Sequence, residues 1–402
     1  MSLSRRELIV DGLRVTVVLP LLAHLRRPGA AAWRSRERGE RALVVLQLTG
    51  GNDGLNTLVP HRQDDYYRSR PTLALERSHL HALDDDHGLH PALPELAALH
   101  HAGALATIHG VGYPDPDRSH FRSMEVWNTA ILPAESSSRS RGVGWMGRLA
   151  DQIAARDEGA LPAIHVGEGD LPLAMRGERV FAPSVADAKA FRLHPASEEI
   201  ARGRKRLLGL TGGGEDLAFL RRAARTSYDA AARIQALAAV DSPIPWPQTA
   251  LARSLRLVAR LVTGGFGARL FYVELGGFDT HVRQRNTHAE LLGVLDGALG
   301  AFQRDLSHHG VAGDVTTLAF SEFGRRVAEN GSAGTDHGAG APAFLVGEAV
   351  APGLHGSPPD LRHQADGDVP YTTDFRRVYT ALERDWMGLE PSTDLPSLGL
   401  FG

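Results

Sequence analysis

The chain has 402 residues, of which 44 are Lys or Arg and 47 are Asp or Glu, and its formal net charge is −3. This length suits one large α/β domain or two smaller ones, while the 43% apolar fraction excludes wholesale disorder and the charge argues against a nucleic-acid partner. No cysteine is present, which excludes disulfides, thiolate metal ligands and cysteine nucleophiles.

The N-terminal segment is typical of an export signal. Arg5 and Arg6 precede the apolar run Val15–Leu25, and three alanines follow at Ala30–Ala32. This pattern predicts a twin-arginine signal and linker over residues 1–40, recognised by the twin-arginine export machinery. The protein is then expected in the bacterial periplasm or cell envelope, with no integral membrane segment in the mature chain. Asp11 and Arg14 lie just before this run and Arg26 and Arg27 just after it, so an amphipathic or disordered basic arm is the alternative.

Hydrophobic patterning predicts alternating strands and helices after residue 40. In chain order, strands are expected at 42–48, 105–111, 163–166, 270–275, 315–320 and 343–347, and helices at 94–101, 121–130, 145–156, 216–240, 248–262, 286–308 and 374–387. The Gly-rich, charged stretch 186–214 is expected to be an insertion. This alternation predicts a single α/β domain over 41–402, with a large, mostly parallel central sheet sandwiched by helices.

Acidic and histidine side chains occur in loops that directly follow predicted strands or precede them. In parallel sheets such loops meet outside the carboxyl ends of the strands. Carboxylate and imidazole together form a mixed oxygen and nitrogen set that suits zinc, manganese, iron, calcium or magnesium. The candidate ligands of one or two divalent ions are Asp53, Asp279, His281, Glu322, Asp336 and His337.

Several of these residues also have ordinary structural explanations. Asp53 follows two glycines and could hydrogen-bond its own turn. Glu322 could form a salt bridge with Arg325 or Arg326. Asp279 and His281, by contrast, are two residues apart, so an extended loop points both side chains the same way.

A second candidate feature is the start of the helix predicted at 121–130. Ser119 lies at its expected N-cap, where the positive end of the helix dipole favours an anionic ester. A nearby metal could activate this hydroxyl as a nucleophile, although serine is also a common cap. His120 is the second candidate catalytic residue. The candidate substrate-binding residues are Asn52, Asn56, Arg118, Arg122 and Arg325.

Four ordered motifs resemble the bacterial domain of unknown function 1501 family, whose members are often exported through the twin-arginine route. The motifs are LVVLQLTGGNDGLNTLVP, DRSHFRSMEVWNTA, GGFDTH and SEFGRRVAENGSAGTDHGAG, and the resemblance covers nearly the whole chain after about residue 41. This family is similar in turn to the alkaline phosphatase and sulfatase superfamily, which implies a mixed central sheet and a two-metal site.

The resemblance implies a role for each motif residue. Asp53 matches the first-strand ligand, Ser119 the nucleophile that opens a helix, and Asp279 with His281 a pair on one metal. Glu322 stands where the superfamily has an Asp ligand. His337, with Asp336 beside it, matches the late histidine ligand.

The leading hypothesis is a metal-dependent hydrolase or transferase acting on a phosphate or sulfate ester, either a small molecule or part of a polymer. A formylglycine sulfatase mechanism in its cysteine form is excluded because no cysteine is present. The alternatives are a non-catalytic envelope protein that binds a metal or ligand at a degenerate site, and metal chemistry on another substrate class.

Overall fold

The computed structural model describes residues 39–135, 142–157, 161–180, 182–186, 230–364 and 366–402. Almost all of the predicted export signal lies outside these residues, as do nearly all of the predicted insertion and the first part of the helix predicted at 216–240. Residues 230–238, the described part of that helix, are helical. Within the described ranges, no helix has both the length and the apolar character needed to span a bilayer.

The described residues contain twelve strands. They are β1 (Ala42–Thr49), β2 (Leu58–Val59), β3 (His81–Ala82), β4 (Gly88–Leu89), β5 (Leu105–Gly112), β6 (Ala163–Val166), β7 (Ser184–Val185), β8 (Leu270–Gly276), β9 (Val315–Phe320), β10 (Ala341–Val346), β11 (Gly353–His355) and β12 (Thr373–Asp374).

Six of the eight helices labelled below correspond to helices predicted from the apolar pattern. The bounds of the eight are α1 (Gly54–Thr57), α2 (Asp64–Ser69), α3 (Pro94–His101), α4 (His120–Thr129), α5 (Trp145–Arg156), α6 (Ala250–Thr263), α7 (Gln284–His308) and α8 (Phe375–Thr380), of which α1 and α2 were not predicted. The helix predicted at 374–387 is α-helical only in its first part, because residues Ala381–Trp386 form a π-helical turn. Asp374 caps α8 by accepting a hydrogen bond from the Arg376 backbone at 3.0 Å.

The central sheet is mixed but mostly parallel, as the sequence predicts. Eight strands follow the order β11-β5-β10-β9-β1-β8-β6-β7, and β12 also pairs with β5. Only β10 runs antiparallel to its neighbours, β5 and β9. The chain stays at the carboxyl edge through residues 321–340 and then enters β10 from that edge, so β10 must run backwards. A separate three-stranded sheet has the order β2-β4-β3.

Helices cover both faces of the sheet, which confirms the predicted α/β class. On one face α3, α6 and α7 pack against residues such as Val44 and Phe271. On the other face α4, α5 and α8 pack against residues such as Val45 and Tyr272. The central strand β1 is buried on both faces from Ala42 to Leu48, which explains its continuous apolar sequence.

The sheet register brings the carboxyl ends of three strands to the same level. Thr49 at the end of β1 pairs with Gly276 at the end of β8, and Gln47 pairs with Phe320 at the end of β9. The loops that leave these strands therefore emerge side by side at one edge. Strand β5 runs in the same direction, because it is antiparallel to β10, so the segment leading to α4 reaches the same edge.

Helix α4 is held against the sheet by Trp127. The indole ring stacks on Phe320 with a centroid separation of 4.7 Å and lies 4.4 Å from the ring of Phe375. Aromatic pairs of this kind contribute about 0.5–1.5 kcal/mol each beyond simple burial. Its backbone carbonyl also accepts a hydrogen bond from the Tyr379 hydroxyl at 3.1 Å. These contacts fix the helix whose first residue, His120, lies at the carboxyl edge.

The π-helical turn after α8 places a carboxyl group in the interior. Glu383 is fully buried and accepts hydrogen bonds from the backbone and hydroxyl of Ser392. Burial raises the pKa of Glu383 to about 7, against the opposing influence of these hydrogen bonds and of Arg148. The protonated form is therefore favoured in the folded protein over a wide pH range.

This shift predicts that folding stability falls as pH rises. The folded pKa lies above the unfolded value, so the contribution of Glu383 is complete below about pH 4.5 and is lost as pH rises through about 7, a change on the order of 3 kcal/mol. In urea unfolding, Glu383→Gln is expected to flatten the decline between about pH 5 and about pH 7.5. The exposed Glu390→Gln is the control, and a wild-type slope in Glu383→Gln would contradict the assignment.

Candidate metal centre

Three side chains from two loops meet at the carboxyl edge of the sheet. Asp279 and His281 lie in the loop between β8 and α7, and His337 lies in the loop before β10. The loops contact each other closely, since the Asn330 amide donates to the carbonyl of His281 at 3.0 Å. A Cβ on Gly334 would come within 2.2 Å of the same His281 backbone, so only glycine permits this approach.

The donor atoms of these three residues form a nearly equilateral triangle. His281 Nε2 and His337 Nε2 are 3.0 Å apart, and they lie 3.1 Å and 3.0 Å from Asp279 Oδ1. With metal–ligand distances of about 2.1 Å, neighbouring ligands are about 3.0 Å apart in an octahedral site and about 3.4 Å apart in a tetrahedral one. The triangle therefore has the size of one face of a coordination shell. Two histidines and one carboxylate on one face are a known metal-binding arrangement.

The Nδ1 atoms of His281 and His337, which do not belong to the triangle, each contact an acceptor oxygen. His337 Nδ1 lies 2.9 Å from the backbone carbonyl of Arg118, and His281 Nδ1 lies 3.2 Å from Asp336 Oδ1. These oxygens are acceptors, so the tautomer that satisfies them has its proton on each Nδ1 and leaves a lone pair at each Nε2. Two lone pairs 3.0 Å apart repel each other. A cation bound to both nitrogens, or a proton on one, removes the repulsion.

His120 is the fourth member of this cluster. Its Nε2 lies 3.7 Å from Asp279 Oδ2, and its ring packs against His337 at a centroid distance of 4.5 Å. Ligand atoms of His120, Asp279 and His337 all lie within 4.8 Å of one another. His120 is thus close to the triangle but farther from its carboxylate than the other two histidines.

Glu322 lies behind His120 and does not belong to the triangle. The carboxylate is 1% exposed and accepts hydrogen bonds from His120 Nδ1 and from the Gly50 backbone, both at 2.9 Å. A buried carboxylate in this position fixes the imidazole tautomer and directs Nε2 outward. Glu322 therefore orients the ring of His120, whereas the sequence predicts that Glu322 binds the metal directly.

The charge of Asp279 suits a cation. Partial burial alone would raise its pKa, but the hydrogen-bonding contacts with His337 and Arg325, together with the charges of Arg325 and His281, lower the pKa to about 2. The carboxylate is ionised at neutral pH. Its side chain is 51% exposed, so the triangle opens to solvent instead of being closed inside the protein.

Arg325 is a buried residue that connects the loops. Its guanidinium donates to the carbonyls of Gly51, Thr335 and Phe278 at 2.7, 2.7 and 2.9 Å, and also to Asp279 Oδ1 at 2.8 Å. It is 1% exposed. Arg325 therefore holds the loops together through these hydrogen bonds, whereas the sequence predicts that it binds substrate.

Asp53, the first candidate ligand, is occupied by other partners. Its Oδ2 forms a fully buried ion pair with Arg70 at 2.6 Å and accepts a hydrogen bond from Gln284. Burial acts to raise its pKa, but Arg70 and His288 outweigh this effect and the pKa is lowered. The structure does not bring Asp53 into the triangle, and its contacts are those of a charge neutralised inside the fold.

Asn52 and Asn56 lie in the same buried network as Asp53. Asn52 Oδ1 accepts a hydrogen bond from Thr57 at 3.0 Å, and Asn56 Oδ1 accepts one from Arg70 at 2.9 Å. Both side chains are nearly inaccessible to solvent, at 1% and 3%. The structure therefore buries both amides in this network, where the sequence predicts substrate-binding residues.

The remaining candidates surround the start of α4. Ser119 occupies the N-cap position, but its side chain makes no capping hydrogen bond. The Arg118 guanidinium is paired with Asp368 at 2.8 Å, whereas Arg122 is 77% exposed and lies 3.5 Å from Asp117. Arg122 is therefore the more accessible of the two cations.

Sequence patterns did not identify Arg70, Gln284 or Asn330, which support the loops. Arg70 lies in an ordinary polar stretch, and Gln284 opens a long helix whose amphipathic pattern does not distinguish it. Asn330 is followed by glycine, a common turn signal that gives no hint of its contact with His281. Their partners are distant in the chain, so no local spacing reveals them.

The ion pair of Asp53 with Arg70 predicts a large stability effect. Arg70→Met is expected to lower the free energy of unfolding by about 3–5 kcal/mol, because it leaves a buried carboxylate without a counter-charge. The double variant Asp53→Ala with Arg70→Met should recover part of the loss in urea unfolding. The control is Arg68→Met, which removes an exposed arginine 2.6 Å from Asp65 and should leave the urea midpoint unchanged. Equal shifts for Arg70→Met and Arg68→Met would contradict this account.

The triangle predicts one divalent ion per chain. His281→Ala and His337→Ala are each expected to abolish binding at a metal concentration that saturates the wild type, as measured by dialysis and elemental analysis. Asp336→Asn should weaken affinity about 10–100-fold by releasing the His281 ring. Asp53→Asn should retain the metal as long as circular dichroism shows that it folds. The control is His363→Ala, which removes an exposed histidine 3.0 Å from Asp360. Metal loss in Asp53→Asn with retention in His337→Ala would refute the assignment.

Known structures similar to this chain include several enzymes and one periplasmic domain. The C-terminal periplasmic domain of EcEptC from Escherichia coli is 11% identical, with 93% of this chain and 90% of that chain covered and a TM-score of 0.42. The PsFucS1 sulfatase from Pseudoalteromonas is 11% identical, with 90% and 74% covered and a TM-score of 0.40. At these values the similarity assigns no chemistry to this chain.

A protein in the alkaline phosphatase superfamily from Vibrio parahaemolyticus is 13% identical, with 80% of this chain covered and a TM-score of 0.38. This chain spans 64% of that protein's length. No curated protein matches the sequence. A family model described as protein of unknown function DUF1501 matches residues 40–394. That range covers most of the chain and all four motifs, and the protein therefore belongs to the DUF1501 family.

Proposed function

We propose that the protein is a metal-dependent hydrolase or transferase that acts on a phosphate or sulfate ester. The observation that supports this proposal is the triangle of Asp279 Oδ1, His281 Nε2 and His337 Nε2, with sides of 3.0–3.1 Å. A divalent cation held there would polarise the ester and stabilise negative charge that develops during the reaction. Zinc, manganese and iron suit the two imidazoles better than calcium or magnesium.

The number of ligands favours catalysis over a purely structural metal. Structural zinc sites are closed by four protein ligands, whereas catalytic sites leave a position open. Here three donors form the triangle and Asp279 remains half exposed, so the side facing solvent is available to a substrate oxygen.

His120 is the candidate to contact the substrate. The buried Glu322 orients its ring, and its Nε2 points towards the carboxylate of Asp279 from 3.7 Å away. This carboxylate–imidazole pair has the arrangement in which a histidine holds or transfers a proton at Nε2. His120 can therefore hydrogen-bond an ester oxygen beside the metal.

Ser119 is the candidate nucleophile. Its hydroxyl makes no capping hydrogen bond, and it precedes His120 at the N-terminus of α4. Backbone N–H groups in the first turn of a helix attract an anion, so the ester group would be held next to the serine oxygen. The exposed Arg122 on the same turn can add a positive charge. Arg118 is instead engaged by Asp368.

Turnover of generic substrates tests the proposal. Protein stripped by a chelator and reloaded with zinc, manganese or iron is expected to hydrolyse 4-nitrophenyl phosphate or 4-nitrophenyl sulfate. Ser119→Ala should keep its metal and lose at least about 100-fold in kcat/KM, which corresponds to about 3 kcal/mol of transition-state stabilisation. His337→Ala should lose both the metal and the activity.

The control is Thr249→Ala, which removes the capping hydroxyl of α6 on the opposite face of the sheet and should leave turnover unchanged. Wild-type activity in Ser119→Ala would remove this serine from the nucleophile role. Metal-loaded wild-type protein that turns over neither substrate would contradict an ester hydrolase, and would favour a non-catalytic metal-binding protein or another substrate class.

A further inference from the structure

A second cluster of reactive side chains lies at the carboxyl edge, outside the metal centre. Ser184 on β7 and His165 on β6 are register partners in neighbouring parallel strands. Ser184 Oγ lies 2.7 Å from His165 Nδ1. On the other side of the ring, His165 Nε2 lies 3.5 Å from Glu274 Oε2 at the end of β8. The imidazole of His165 thus contacts a hydroxyl through one nitrogen and approaches a carboxylate through the other.

The hydrogen-bonding pattern fixes where the protons lie. The short contact between Ser184 and His165 is an O–H donating to Nδ1, or an N–H donating to the hydroxyl oxygen. The opposite nitrogen, Nε2, is buried and has no hydrogen-bond partner among the described residues. Its nearest charged group is the Glu274 carboxylate. A proton on Nε2 gains this attraction, so Nδ1 is the acceptor for the serine proton.

The three side chains differ in their exposure to solvent. His165 is completely buried, but Ser184 is half-buried and the Glu274 side chain is 34% exposed. A Cβ on Gly167 would come within 2.9 Å of His165 Nε2, so the glycine leaves this nitrogen free to face the carboxylate. The hydroxyl can therefore meet a reagent while its base remains shielded from water.

We propose that Ser184, His165 and Glu274 form a second nucleophilic site, which takes neutral carboxylic esters. The nucleophile lies within hydrogen-bond reach of a base that a third group orients, which is the general requirement for an activated serine. Among the described residues no Lys or Arg forms a hydrogen bond or ion pair with these three side chains, and the third member is a carboxyl group. An anionic ester is therefore disfavoured, and an uncharged acyl ester is the matching class.

The reaction balances without a further reactant. Ser184 Oγ bonds to the acyl carbon as its proton moves to His165 Nδ1, and the bond from the acyl carbon to the alkoxy oxygen breaks. The proton on Nδ1 passes to the departing alkoxide, which leaves as an alcohol. Glu274 stabilises the positive charge that the ring carries between these steps. Water then attacks the acyl-serine by the same route and releases a carboxylic acid.

Labelling with an alkyl fluorophosphonate, which phosphonylates activated serines and releases fluoride, tests this site. The full chain is treated with the probe in the presence of a chelator, so that the metal centre is not involved, and the adduct is mapped by peptide mass spectrometry. One adduct on Ser184 is expected. It should be absent in Ser184→Ala, and Glu274→Gln should slow its formation at least about tenfold.

The matched control is Ser307, an exposed serine whose hydroxyl lies 3.2 Å from Glu348 with no imidazole bonded to it. Ser307→Ala should label at the wild-type rate. No adduct on Ser184 in the wild-type chain, or equal labelling of Ser184 and Ser307, would overturn the proposal. An adduct on Ser119 alone would also overturn it. Because peptide mapping of the wild-type chain decides between these outcomes, the test does not depend on whether Ser184→Ala folds.

Discussion

The buried guanidinium of Arg325 is the interaction on which the rest of the metal centre depends. It donates to backbone carbonyls in the loop after β1, the loop after β8 and the loop before β10, and to the carboxylate of Asp279. Loops at a sheet edge have few hydrogen bonds of their own, so a single planar donor with five N–H groups is well suited to join them. The two glycines after β1 allow this approach, since a Cβ on Gly51 would come within 2.4 Å of Phe323 and one on Gly50 within 2.5 Å of the Asp279 backbone.

Three carboxylates near the carboxyl edge of the sheet differ in their partners. The carboxylate of Asp53 is neutralised by Arg70 in full burial, and that of Glu322 is occupied by His120 and a backbone N–H. Asp279 is also near a guanidinium, but it remains half exposed and has two imidazole nitrogens within 3.1 Å. A divalent ion is attracted where a carboxylate and free lone pairs coincide. Of these three carboxylates, Asp279 is therefore the one that suits the proposed metal site.

The sequence predicted the regular part of the fold because apolar runs are local signals. Strands 163–166 and 315–320 and helices 94–101 and 145–156 have the predicted bounds, since their burial is continuous or follows a helical period. Strands of two residues, such as β7, are too short to carry any pattern. The direction of β10 was also not predictable, because direction depends on which sheet edge the preceding loop occupies.

For the candidate site, the sequence located the loops but not the partners of each side chain. Asp279, His281 and His337 are in loops at strand ends, so topology alone brings them to one edge. Whether a carboxylate faces a metal or another residue depends on contacts across long sequence separations. Glu322 meets His120 across 202 residues, and no spacing in the sequence encodes that contact.

Strand β8 contributes to both proposed sites. Asp279 lies in the loop after β8, while Glu274 lies near the end of the strand itself. Tyr272, on the same face of the strand as Glu274, donates a hydrogen bond from its hydroxyl to Gln47 at 2.5 Å. Burial, and secondarily the charge of Glu274, raises the pKa of Tyr272 well above its usual value, so the phenol stays neutral. Strand β8 therefore supplies one carboxyl group to each cluster, Glu274 from within the strand and Asp279 from the loop that follows it.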